Sequence, residues 1–204
     1  MASIKQIAPV MAPRALSPDE ALQRLMEGNE RFASDRMTNI VQSLNILRQH
    51  TVEKQEPFAT VLSCADSRVP VELVFDQTIG HLFVARVAGN FVTREIQGSL
   101  EYGAAVLGTK VILVLGHSSC GAVTATMRGN DVPGEIGSLF SHIQPAVDRA
   151  GGDLATAVRE NARLQAELLT KSSPLLAELV VKGKLKIVAG YYDLATGRVS
   201  LLTS

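Results

Sequence analysis

Tryptophan is absent from this chain, cysteine occurs only twice, and aromatic residues make up 4% of it. Two cysteines, Cys64 and Cys120, exclude a disulfide framework and leave room for a single bridge at most. Charge of one sign is not in excess, since 20 Lys and Arg balance 20 Asp and Glu, and there is no basic block. Nucleic acid is therefore not an expected partner. No apolar run reaches the roughly 18 residues that a membrane span requires. Met1–Arg14 contains prolines and no long apolar core, so it reads as an irregular arm and not as a signal peptide. The cytoplasm is the default expectation.

What is present fits one domain: 204 residues, 46% hydrophobic and 20% charged, enough to bury a sizeable core. Ser17-Pro18-Asp19-Glu20 combines a capping serine, a proline suited to the first helical position and a glutamate able to close a capping box. The helix it starts is expected to run to about Ala33. A second, more polar helix is expected over Ile40–His50, so residues 1–50 form an arm with helices ahead of an α/β core over residues 57–204. Buried strands are expected at Phe58–Cys64, His81–Val87, Val111–Leu115 and Leu185–Tyr191, with an antiparallel edge strand at Arg198–Leu202. Helices are expected at Val71–Phe75, Arg94–Leu107, from Ala122, over Ile136–Val147 and Asp153–Thr170, and from Ser173-Pro174 to Lys182-Gly183. The alternation predicts an α/β fold: a mostly parallel central sheet of about four strands plus the edge strand, flanked by helices. An order such as 2-1-3-4 makes the first and third strands neighbours. Their carboxyl ends then flank the crevice where such sheets bind ligands.

Those two ends carry the chemistry. Val111-Ile-Leu-Val-Leu115 stops at Gly116, His117 follows at once, and Cys120 stands three positions further on. The first strand ends at Cys64, so the topology gathers both cysteines and a histidine. Thiolate and imidazole suit zinc, and three protein ligands leave one position for water, as in catalytic sites. The competing reading is two small residues buried at strand ends. Cys64-Ala-Asp-Ser-Arg68 adds Asp66 and Arg68 two and four residues past the first cysteine. Arginine can grip a carboxylate with two parallel hydrogen bonds, keeping it ionised and fixed in direction. An ordinary loop salt bridge is the alternative.

Cys64-x-Asp66-Ser67-Arg68 and His117-x-x-Cys120-Gly121, each after a buried strand, resemble the two motifs of the β-class carbonic anhydrases. The resemblance runs from about Ser17 to Tyr192-Asp193…Thr196-Gly197. It implies one zinc ion per chain on Cys64, His117 and Cys120, with Asp66 orienting the attacking water and Arg68 holding Asp66. The implied activity is reversible hydration of carbon dioxide to bicarbonate and a proton. Two thiolates make the metal less electropositive than three imidazoles would, so better activity at alkaline pH is expected. By family position, the substrate pocket would involve Gln55, Phe83, Ala88, Tyr102 and the Gly121 backbone N–H. Phe83 and Tyr102 also read as ordinary core aromatics.

In some members a bicarbonate bound near the site accompanies Asp swinging onto the metal, and a tryptophan takes part. Val61 occupies that position here, and Arg86, which matches the arginine of that site, is expected to make a local salt bridge. An open site is therefore expected. Among the other histidines, His50 and His142 fall in helical patterns and His81, beside Gly80, is a candidate proton relay. The resemblance further implies a homodimer or a tetramer of dimers, with the site near the subunit interface. Periplasmic, carboxysomal and organellar locations stay open. So do three rival functions: hydrolysis of carbonyl sulfide or carbon disulfide, a non-catalytic zinc-stabilised interaction protein, and thiol redox chemistry.

Overall fold

The computed structural model describes residues 16–38 and 52–203. The arm before residue 16 and the helix expected over Ile40–His50 lie outside the described residues. Helix α1, Pro18–Ala33, begins as its sequence dictates: the Ser17 side chain accepts from the Glu20 N–H and the Glu20 carboxylate accepts from the Ser17 N–H. Both are hydrogen bonds to groups the first helical turn otherwise leaves unsatisfied.

Five strands follow: β1 Ala59–Ser63, β2 Leu82–Arg86, β3 Val111–His117, β4 Lys186–Tyr192 and β5 Val199–Leu202. They form one sheet in the order β2-β1-β3-β4-β5, with β1, β2, β3 and β4 parallel and β5 antiparallel on β4. All five residues of β1 and all seven of β3 are buried, as expected for central strands covered on both faces. The third strand runs two residues past its aliphatic run. Gly116 pairs with Tyr191 and His117 with Tyr192, so His117 itself is held in the sheet.

Seven α-helices are described. After α1 come α2 Val71–Val74, α3 Arg94–Glu101, α4 Gly121–Arg128, α5 Phe140–Arg149, α6 Leu154–Ser172 and α7 Pro174–Val181. The single helix expected over Arg94–Leu107 is in fact α3 followed by a π-helical segment, Tyr102–Val106. The ladder widens there, with the Leu107 N–H reaching the Tyr102 carbonyl at 3.1 Å, and a helical face count does not register one extra residue per turn. The helix expected from Ile136 opens with a 3-10 segment, Gly134–Leu139, before α5. Among the described residues no helix is long and apolar enough to cross a membrane.

One apolar cluster joins α1 and α2 to one side of the sheet through Leu25, Val74, Phe75, Val61 and Leu113. A second joins α3, α6 and α7 to the other side through Leu100, Leu169, Leu176, Leu62 and Ile112. A third gathers Cys64, Cys120, Phe91, Val123 and Ile143 where the carboxyl ends of β1 and β3 meet α4 and α5. α1 is also tied down by charge. The buried Asp76 carboxylate, 0% exposed, accepts from Arg31 at 2.5 Å and from the Thr38 N–H and hydroxyl at 3.1 and 3.0 Å. A buried carboxylate is tolerable only with such donors.

Candidate metal centre

β1 and β3 are adjacent and parallel, with Ser63 opposite Leu115. Cys64 therefore leaves β1 level with the end of β3, where His117 still lies in the strand and Cys120 caps helix α4. The backbone turns sharply between them, Ser119 taking a left-handed φ of 55°. The Ser118 N–H donates to the Tyr192 carbonyl and the Ser118 hydroxyl accepts from the Leu194 N–H, both at 2.9 Å, fixing the turn to the β4–β5 connection.

The ligand-capable atoms of Cys64, His117 and Cys120 all lie within 4.8 Å of one another, and all three residues are buried. The sulfurs are 4.0 Å apart and both cysteines are free. Two sulfurs each about 2.3 Å from a tetrahedral zinc would stand about 3.8 Å apart, so the spacing suits the ion. His117 Nδ1 is 2.9 Å from the Ser118 carbonyl, which can only accept, so Nδ1 carries the proton. Nε2 is then a lone pair, and it is buried with no hydrogen-bond partner. An orphaned acceptor beside two thiols is a donor set that fits zinc.

The hydrogen bond from Cys120 holds the Cys64 thiol far below the usual range, to about 4, against the opposing effect of burial and with help from His117 and the Gly89 N–H. The same sulfur–sulfur contact, together with burial, pushes Cys120 up. Cys64 also has a backbone donor. The Gly89 N–H donates to its Sγ at 3.3 Å.

Asp66 stands at the rim. Arg68 Nε donates to one carboxylate oxygen at 3.0 Å and Nη2 to the other at 2.7 Å, while the Arg68 N–H donates to the first at 2.8 Å. This fork is the main reason the Asp66 carboxyl lies well below its ordinary range, at about 2. Arg68 Nη2 also donates to the Ser119 carbonyl at 3.2 Å, joining the two motif loops. The carboxylate oxygen that Arg68 Nη2 holds lies 3.9 Å from His117 Nε2.

Arg86 makes no salt bridge in its described contacts, contrary to the sequence expectation. Its Nε donates to the Cys64 carbonyl at 2.9 Å and its Nη2 to the Asp66 carbonyl at 2.6 Å. Standing at the end of β2, beside β1, it reaches the loop backbone before any carboxylate. Ala88 lies next to Gly89 and so beside the cluster. Gly121 opens helix α4, and a β-carbon placed there would meet nothing within 4 Å, so the backbone faces open space.

Gln55, Phe83 and Tyr102 are not brought to the cluster within one chain. Gln55 is exposed and precedes β1, which separates it from Cys64. Phe83 pairs with Thr60 near the start of β1 and packs on Tyr102 at 6.1 Å between ring centroids. Tyr102 is 47% exposed. His81 stands before β2, where its Nδ1 lies 3.1 Å from Arg24 Nη2 and 3.2 Å from the Gln77 side-chain oxygen. That is the opposite end of the sheet from Cys64, about 20 Å away at 3.3 Å per residue, so it is no relay for the cluster of its own chain. His142 stacks on Phe91, ring centroids 4.4 Å apart.

Sequence reasoning missed the supporting groups: Gly89, Ser118, Asn161 and the backbone role of Arg86. Asn161 carried a readable signal, being an amide on the same face of α6 as Ala157, Val158 and Ala162.

The carbonic anhydrase family model matches residues 59–199. Carbonic anhydrase 2 of Mycobacterium tuberculosis is 36% identical over 193 residues, spanning 91% of this chain and 93% of that protein. The carbonic anhydrase of Mycolicibacterium smegmatis is 36% identical over 195 residues, again with 91% and 93% covered. Among solved structures, the β-carbonic anhydrase CcaA superposes with a TM-score of 0.71 at 25% identity, over 90% of this chain and 92% of that one. The Coccomyxa β-carbonic anhydrase in complex with acetazolamide gives 0.68 at 26% identity, over 90% and 86%. With the match to the family model, the relatives' near full-length coverage and the shared fold, the chain belongs to the β-class carbonic anhydrases.

Proposed function

We propose that this chain catalyses the zinc-dependent, reversible hydration of carbon dioxide to bicarbonate and a proton, with one zinc ion held by Cys64, His117 and Cys120. The observation that carries this reading is the buried, unpartnered Nε2 of His117 beside two free thiols, with an arginine-gripped carboxylate 3.9 Å away. When bound, zinc supplies a Lewis acid that makes water a nucleophile near neutral pH.

The chain's own residues do the rest. The Ser118 carbonyl fixes His117 in the tautomer that offers Nε2. Asp66 accepts a hydrogen bond from the attacking water and aims its lone pair at the substrate carbon. Arg68 holds that carboxylate ionised and turned towards the cluster, so Asp66 stays off the ligand set and the site is open. The Gly121 N–H, at the start of α4, is placed to donate to a substrate oxygen. Arg86 fixes the two carbonyls on either side of Ala65, and so the direction of the loop.

Gln55, Phe83 and Tyr102 complete the pocket from a second copy of the chain, in a homodimer or a tetramer of dimers. Their exposure or part-exposure, away from their own cluster, supports that reading. Ala88 lines the pocket beside Gly89.

Hydrolysis of carbonyl sulfide or carbon disulfide would use the same residues, and parallel assays separate it. The purified protein is expected to hydrate carbon dioxide rapidly and to turn over carbonyl sulfide and carbon disulfide slowly or not at all. A dominant rate on either sulfur compound would reassign the substrate. A purely structural zinc clip would have no use for the Asp66–Arg68 fork.

A further inference from the structure

The metal-ligating residues rest on a wall that neither sequence motif contains. Helix α6 packs from behind on the end of β3 and on residues 89–92. A β-carbon at Gly116, next to His117, would lie 2.9 Å from Val158 Cγ1, so helix and strand are in direct contact there. One turn on, Asn161, 1% exposed, donates from Nδ2 to the Gly89 carbonyl at 2.8 Å. A further turn on, the Gln165 side-chain oxygen accepts from the Val92 N–H at 2.9 Å, and its Nε2 donates to the His142 carbonyl at 3.2 Å. Two buried amides, four residues apart on one helix face, thus satisfy the Gly89 carbonyl and the Val92 N–H.

Gly89 occupies a conformation that other residues rarely adopt, φ +88°, and a β-carbon on it would lie 2.5 Å from Ile143 Cδ1. In that conformation its N–H points at Cys64 Sγ, 3.3 Å away. The two peptide units flanking Gly89 therefore have separate tasks. One donates to the candidate metal ligand and the other is anchored by Asn161.

We propose that Asn161 is a positioning residue of the metal centre. By holding the Gly89 carbonyl, it aims the Gly89 N–H at Cys64 Sγ, and that hydrogen bond draws charge from the thiolate. A less charged sulfur donates less to the metal, leaving it a stronger Lewis acid. This inference rests on the zinc reading above and adds to it a residue 41 positions beyond the last motif cysteine.

The test uses metals that report on sulfur. In protein loaded with cobalt(II), losing the hydrogen bond makes the thiolate easier to oxidise, so the sulfur-to-cobalt charge-transfer band of Asn161→Leu should move to lower energy. Leu169→Ala, a buried change on the same helix away from Gly89, should lower the melting temperature and leave the band in place. In wild-type protein loaded with cadmium-113, which needs no variant to fold, the Gly89 amide proton should couple to the metal through the N–H···S hydrogen bond. An unshifted band in Asn161→Leu, or no coupling at Gly89, overturns the proposal. A chain that takes up neither metal with thiolate ligation would instead overturn the zinc reading itself.

Discussion

The Asp66 carboxylate lies 3.9 Å from His117 Nε2 while Arg68 donates to both of its oxygens. Arg68 thereby decides what Asp66 can do. On this account, with both oxygens held, the carboxylate acts as an acceptor at the rim of the cluster and not as a ligand. Replacing Asp66 with Asn keeps the shape and removes the charge. On this account Asp66→Asn retains zinc and fold but loses about 100- to 1,000-fold in kcat, the usual cost of one well-placed polar group. Arg68→Lys should also be impaired, because an ammonium cannot reproduce the planar fork. Steady-state hydration kinetics with zinc analysis of each variant check both, and an Asp66→Asn enzyme of wild-type rate would remove the role assigned here.

The pH profile of activity separates Asp66 from the metal. Because the Asp66 carboxyl sits at about 2, it is ionised throughout the working range and contributes no inflection there. Its depressed value also means that its contribution to stability is present above the ordinary carboxylate range and is lost only as pH falls through about 2. On the zinc reading, an inflection near neutrality would come from the metal centre and not from Asp66. With two thiolate ligands, activity should climb towards alkaline pH. A rate that stays flat from about pH 6 to 9 contradicts this.

His81 gives a prediction about stability alone. Burial and the neighbouring Arg24 guanidinium lower its pKa, and Phe58 and Gln77 pack against the ring without supplying negative charge. For such a group the unfolded chain takes up a proton first as pH falls below about 6.5, so stability declines from there down to the folded value. His81→Asn should lose less melting temperature between about pH 7 and 5 than wild type, with unchanged zinc content. Parallel melting curves of equal slope in the two proteins would refute it.

The legible parts of this protein were those governed by short-range pattern. The mostly apolar run Phe58–Leu62 and the fully apolar run Val111–Leu115 declare central strands, and Ser17-Pro18 declares a helix start through local hydrogen bonds. Topology then put Cys64 beside His117, because consecutive parallel strands with helical crossovers leave few arrangements. What remained hidden depends on partners distant in sequence. Arg86 appears as a charge, and only the sheet shows that it lies nearer to two carbonyls than to a carboxylate. Asn161 meets Gly89 across 72 residues of chain, and no spacing rule connects them. The Tyr102–Val106 widening adds one residue to a turn, which a 3.6-residue period cannot register. Gln55, Phe83 and Tyr102 carry family positions, but a single chain does not bring them to its own cluster.

Zinc content measured beside carbon dioxide hydration, before and after chelation, tests the central claim most directly. The account predicts one zinc per chain, loss of the ion and of activity together, and return of both on adding zinc. Full activity without zinc, or a purified chain in which Cys64 and Cys120 are joined as a disulfide and the protein remains active, would contradict it.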